Sequence, residues 1–75
     1  MFKVAETPDA VLAVEDPYNI GPDTEAVLVS IPGRHARRVP LFAALARARW
    51  SVVGSPDAAK PYVVPSDWPV LGPND

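Results

Sequence analysis

Residues 25–53, EAVLVSIPGRHARRVPLFAALARARWSVV, decide the fold because they hold the clearest strand pattern and the clearest helix pattern of the chain. Their first part, EAVLVSI over residues 25–31, places a β-branched residue at every second position, which is typical of a strand. A Pro-Gly pair predicts a turn at the end of this strand. We expect residues 33–39 to form a basic loop, because Pro40 prevents a helix from running through them.

The helix pattern begins at Pro40, a residue that suits the first position of a helix. Residues 41–50, LFAALARARW, are strong helix formers throughout, so we predict one short helix over about 41–50. Four of them share one apolar stripe at the helical period: Leu41, Ala44, Leu45 and Ala48. A strand over residues 51–54 follows. This strand-helix-strand unit favours parallel pairing of its two strands through a right-handed crossover.

Shorter patterns flank this unit. Residues 10–15, AVLAVE, favour a strand over a helix opened at Thr7, because the run is short and rich in Val. Residues 16–23 are dense in turn formers and predict a loop. Residues 55–57 have the composition that starts a single helical turn, and residues 62–64 fit a short edge strand.

The C-terminal segment, residues 61–75, carries a proline at every fourth position, P-YVV-P-SDW-P-VLG-P-ND. Proline cannot donate a ladder hydrogen bond and fixes its own φ, so we expect an extended arm. A flexible linker would be polar, whereas this arm carries apolar side chains that need cover. We predict that these arm residues bind a protein partner: Tyr62, Val64, Trp68, Val70 and Leu71. The alternative is that Trp68 folds back and caps the open side of its own sheet.

Together these patterns predict a small α+β fold, with a sheet of three or four short strands, one short helix packed on it and the extended arm. We divide the chain into a body over residues 1–60 and an arm over residues 61–75. A chain of 75 residues with no Cys has neither disulfides nor thiolate metal sites, so burial against a partner is a reasonable source of stability. We expect no cofactor and no metal.

A basic stretch is the strongest polar feature, and no acidic residue lies within residues 26–56. It contains Arg34, Arg37, Arg38, Arg47 and Arg49. The last two would point to different sides of the helix, so only the first three are expected to form one patch. A phosphate-binding patch is one interpretation. The sequence pI of about 5.1 is wrong for a dedicated nucleic-acid module, so we favour a protein contact for Arg34, Arg37 and Arg38.

No catalytic constellation is visible in the sequence. His35 has no Ser, Cys or carboxylate at an informative spacing, so we expect an exposed His without a role. Asp23 and Glu25 are expected to flank a turn, and Glu15 and Asp16 would face opposite ways if the strand continued through them. We therefore expect no enzyme activity and assign no catalytic, cofactor-binding or metal-binding residue.

The leading hypothesis is a non-enzymatic interaction protein, a small accessory subunit of a larger assembly. Its concrete form is a phage or phage-like virion component, such as a capsid decoration or connector protein. One alternative is a small phage-encoded inhibitor of a host enzyme, and another is a nucleic-acid-binding module that uses residues 34–38. Self-association is a further option.

No apolar run reaches the length of a membrane span, and residues 1–6 show no signal-peptide pattern. We therefore expect a place in the virion or the cytoplasm, with no membrane contact.

Overall fold

The computed structural model describes residues 1–72 and is a single seven-stranded sheet with one short helix. The elements are β1 (Phe2–Thr7), β2 (Ala10–Val14), β3 (Glu25–Ser30), β4 (His35–Pro40), α1 (Leu41–Leu45), β5 (Ser51–Val52), β6 (Lys60–Pro61) and β7 (Val70–Leu71). The strand order is β5-β1-β2-β3-β4-β7, and β6 also pairs with β1. The predicted α+β class is confirmed in this broad form, but the number of strands exceeds the predicted three or four.

Strands β1 to β4 form the centre of the sheet as an antiparallel meander. Thr7 and Ala10 pair across the tight turn between β1 and β2. The register of β1 shifts between Lys3 and Ala5, so Val4 lies in a bulge. No strand was predicted for this first segment, because charged residues and the bulge break its apolar alternation. The strand predicted over residues 10–15 is confirmed as β2.

β4 takes the place of the basic loop predicted for residues 33–39. Each of its residues has a partner in β3. Ala36 is fully buried, and Val39 packs against the core. The loop prediction was wrong because it judged charge and proline content locally, whereas pairing with β3 and the burial of these two side chains decide the conformation. Pro40 ends the strand, where its missing N–H is tolerated.

α1 is shorter than predicted, since it ends at Leu45 and not near residue 50. Pro40 is its N-cap and not its first helical residue. The indole N–H of Trp50 donates to the carbonyl of Ala44 at 2.9 Å, so a side chain satisfies a carbonyl at the end of the helix. Of the four residues in the predicted apolar stripe, Leu41 and Ala44 are buried and Leu45 is half-buried. The fourth, Ala48, lies beyond the end of α1 and is exposed.

β5 and β6 are two pieces of one interrupted edge strand, both antiparallel to β1. The predicted parallel crossover is therefore wrong, because β2 and β4 already occupy the two sides of β3. Between the two pieces, Pro56–Ala58 form the helical turn that the sequence predicted. The edge strand lies at Lys60–Pro61, just before the predicted residues 62–64, and the N–H of Tyr62 still donates to the carbonyl of Met1 at 2.8 Å.

Residues 62–72 lie across the sheet of their own body. They leave one edge of the sheet at β6, and β7 pairs in parallel with β4 at the opposite edge. The N–H of Ala36 donates to the carbonyl of Pro69 at 2.9 Å, which fixes this docking. Of the two arrangements that the sequence left open, the described part of the arm adopts the one in which it covers its own body. Residues 73–75 of the predicted arm lie outside the described residues.

The sheet carries a small core on each face. On the helix face, under α1, the buried residues are Val4, Ala5, Leu12, Val14, Ala26, Leu41 and Ala44. On the arm face they are Val11, Val29 and Ala36, with Tyr62, Val64 and Trp68 of the arm packed on them. The chain thus crosses the helix face after β4 and the arm face after β6, and so wraps once around its own sheet.

Candidate interaction surfaces

An apolar groove opens on the helix face, beside α1 and the edge strand. We call it the helix-side groove, and its volume is about 230 Å³. The apolar residues that define it are Pro17, Ile20, Phe42, Leu45, Val52 and Val53. Phe42 is 50% exposed, Val52 57% and Ile20 39%, so large apolar side chains line the groove in contact with water. No charged residue belongs to its lining.

Hydrogen bonds hold the loop that forms one wall of this groove. The N–H of Leu41 donates to the carbonyl of Thr24 at 3.0 Å, which ties the end of the loop to the start of α1. The N–H of Gly21 donates to Oγ1 of Thr24 at 2.7 Å, which closes the loop on itself. Pro17 is buried. The wall is therefore anchored at both ends and is preformed.

Tyr18 joins this loop to the helical turn on the other side of the groove. The hydroxyl of Tyr18 donates a hydrogen bond to the carboxylate of Asp57. The rest of the Tyr18 side chain is exposed. The pKa of Tyr18 lies above its ordinary value of 10.0, first because of this bond, then because of partial desolvation and the nearby charge of Asp16. The bond exists while the phenol keeps its proton, so it is present at neutral pH.

The arm uses part of its apolar surface on its own body. Tyr62, Val64 and Trp68 are half-buried against the arm-face core, whereas Val63 is 86% exposed and Val70 51%. An open hollow remains between the arm and the sheet, lined by Tyr62, Val64 and Val70 together with charged residues. Leu71 is half-buried in β7. Partner binding by these residues stays a prediction, and it competes with their packing in the chain itself.

The predicted arginine patch is divided by the strand that carries it. Arg37 and Arg38 are neighbours in β4, so their side chains point to opposite faces of the sheet. Nη1 of Arg37 donates to the carbonyl of Gly72 at 3.2 Å. Arg38 lines a polar pocket with Glu15 and other acidic residues. The expectation of one patch was wrong, because it assumed a loop where the chain forms a strand.

Arg34 lies in the turn between β3 and β4, with a φ of 53°. Its guanidinium carbon stands 5.8 Å from the centre of the Trp68 ring, within the range of a cation–π contact. A Cβ on Gly33 would meet the ring of His35 at 2.6 Å, so a side chain at this position would force the His35 ring to move. His35 is half-buried by this packing, not fully exposed as predicted. Arg34 therefore holds the arm, which is a role within the fold.

The acidic residues show no built metal site in the part of the chain that the structure describes. Asp23 lies in a turn and Glu25 begins β3, as expected for residues that flank a turn. Among residues 1–72, no three side chains of the types that bind metals come close enough to share an ion.

The sequence analysis did not foresee the helix-side groove. Its walls come from the loop before β3, from α1 and from the edge strand, which are far apart in the chain. Ile20 stands in a run of turn formers, and Phe42 falls at the edge of the apolar stripe. An apolar residue in a loop and another beside the apolar stripe of a helix were the sequence features that could have indicated the groove. Only the fold brings these two residues together.

Within residues 1–72, no helix is long and apolar enough to cross a membrane. No protein-family model matches the chain, and neither does any curated protein or solved structure with which it was compared.

Proposed function

We propose that the chain is a non-enzymatic interaction subunit of a larger assembly, and that it binds a protein partner through the helix-side groove. One observation carries this proposal: Phe42, Val52 and Ile20 remain exposed together on a concave surface, although the chain wraps around its sheet to cover both faces. Apolar side chains that stay exposed next to one another in a concave surface favour an interaction site, whereas single exposed apolar side chains are normal.

The chemistry of the groove supports a protein partner. The centres of protein interfaces are depleted in charge and enriched in aromatic residues. The groove has both properties, since its lining is uncharged and Phe42 stands at its rim. Burial of this surface contributes about 25 cal/mol for each Å² of apolar area. A preformed wall also lowers the entropy that is lost on binding.

The concrete form that we favour is a structural component of a phage or phage-like particle, such as a capsid decoration or connector protein. Support for it comes from the small size, the absence of Cys and the apolar groove that needs a cover. This form predicts many copies of the chain on one particle. An inhibitor of a host enzyme would instead give a tight complex with one copy of each protein.

The test is affinity capture from the native source with the wild-type chain and two variants, followed by mass measurement of the intact complex. Phe42→Asp places a charge in the groove. Val63→Asp is the matched control, because Val63 is exposed and lies outside the groove.

The proposal expects one protein, captured in fixed stoichiometry by the wild type and by Val63→Asp, and lost with Phe42→Asp. Equal capture by all three chains would contradict it. Circular dichroism of the variants shows whether each is folded.

A further inference from the structure

We infer that the partner enters as an extended segment, which pairs with the open edge of β5 and places an apolar side chain in the helix-side groove. This inference rests on the proposed function, since it names the form in which the partner binds there. It depends on the direction of the backbone groups of β5, on the composition of this edge and on its position beside the groove.

The ladder between β5 and β1 fixes which backbone groups face outward. The N–H of Val53 donates to the carbonyl of Val4 at 3.0 Å. Hydrogen-bonded and non-hydrogen-bonded pairs alternate in an antiparallel ladder. The next pair, Val52 with Ala5, is therefore of the second kind, and the N–H and C=O of Val52 point away from β1. Among the described residues, no strand pairs with this outer side.

The two halves of the edge strand differ in how they are protected. The β6 half carries Lys60 and Pro61, and charge and proline are the usual means by which proteins block pairing at a sheet edge. By the same alternation, the bond from Tyr62 to Met1 turns the nitrogen of Pro61 outward, where it offers no donor. The β5 half, SVVG over residues 51–54, has neither charge nor proline.

The unprotected half adjoins the groove. Val52 of β5 lines the groove together with the next two residues, Val53 and Gly54, so a segment paired with Val52 runs along the groove wall. Side chains of an extended segment project to the same face at every second residue. One of them reaches the groove, and the uncharged lining selects an aliphatic or aromatic side chain. Main-chain bonds with a pocket for alternate side chains are the known mode of strand addition.

A second copy of this chain fits the edge less well than a partner segment. β5 is two residues long, and the chain turns away from the sheet on both sides of it. Two such edges would meet over a few residues, far less than the roughly 800 Å² per partner of a stable complex. An extended segment of another protein can follow the edge and the groove together.

The test begins with a displayed library of random twelve-residue peptides, selected on the full-length chain and counter-selected on Phe42→Asp. The selected peptides are synthesised, and their affinity for the wild type is measured by fluorescence anisotropy. Each backbone N–H of the best peptide is then methylated in turn. We expect a loss of roughly tenfold at one position, the N–H that donates to the carbonyl of Val52, and little change at its neighbours, because Val52 is the one residue of β5 whose backbone groups face outward.

The peptide series separates the two proposals. A loss confined to one peptide N–H, together with a similar loss for Val52→Pro, supports strand addition. Peptides that bind the wild type and need Phe42, but lose no affinity when any single N–H is methylated, would overturn strand addition and leave the groove as the binding site. A selection without any Phe42-dependent peptide would overturn both. Dimerisation of the chain alone that Val52→Pro abolishes would assign the edge to a second copy. The methylated peptides need only the wild-type chain, so a folding defect of Val52→Pro does not affect the conclusion.

Discussion

Replacing Trp68 by Ala should lower the free energy of unfolding, because the arm covers its own sheet. Truncation of a fully buried Trp to Ala costs about 3–5 kcal/mol. Trp68 is half-buried against the arm-face core, so we expect about 1.5–2 kcal/mol from lost packing. The contact with Arg34 adds about 0.5–1 kcal/mol. The expected total is about 2–3 kcal/mol, for a chain of this length whose stability is on the order of 4–11 kcal/mol.

Thermal unfolding followed by circular dichroism measures this effect. For a small domain, about 2–3 kcal/mol lowers Tm by roughly 10–20 °C. Val63→Ala is the matched control, since Val63 lies in the same arm and is 86% exposed. Its Tm should stay close to that of the wild type. Equal Tm values for Trp68→Ala and Val63→Ala, with a loss of partner binding only in the first, would refute the reasoning and favour an arm that docks on another protein.

Three further predictions concern charged and polar side chains. Arg34→Gly should be more stable than Arg34→Ala by about 1 kcal/mol in urea unfolding, because both lose the cation–π contact and only glycine relieves the positive φ; equal stabilities would contradict this. The hydrogen bond of Tyr18 stabilises the fold fully below pH 10, near the pKa of Tyr18 in the unfolded chain, and this contribution is lost as pH rises through the higher pKa in the folded chain. Tyr18→Phe should therefore remove this loss of stability at alkaline pH, which denaturation curves between neutral and strongly alkaline pH would measure. Binding to duplex DNA at physiological salt should be on the order of 10⁻⁴ M or weaker, and submicromolar binding that is lost when Arg34, Arg37 and Arg38 are changed together to Ala would show a nucleic-acid function.

Local sequence patterns predicted the elements whose conformation depends on their own residues. The alternation in β3, the Val-rich run of β2 and the helical turn at Pro56–Ala58 were found for this reason. β1 and β4 were missed, because each is stabilised by a neighbour across the sheet and has charged residues among its apolar ones. Ladder pairing joins residues far apart in the chain, so a local pattern does not contain it.

The candidate site depends even more on long-range contacts. The sequence drew attention to the arm because its apolar residues stand between prolines. The fold packs three of them on its own sheet and pairs two more with β4 as β7. Ile20 and Val52 were not predicted as site residues, since Ile20 lies in a loop and Val52 in a two-residue strand. A groove arises where separate segments leave apolar side chains next to one another. Only their relative positions in space can predict it.

The course of the chain explains why the groove is left open. Helix α1 ends at Leu45, and the following residues reach the far edge of the sheet with Trp50 packed back on the helix end. This short connection covers the centre of the helix face but not the corner between Phe42 and Val52. The arm cannot cover that corner, because it leaves the same edge and crosses the other face to pair with β4. Within residues 1–72, no other segment covers this corner. The partner that we propose would cover this corner, and the neighbouring open edge of β5 favours an extended segment.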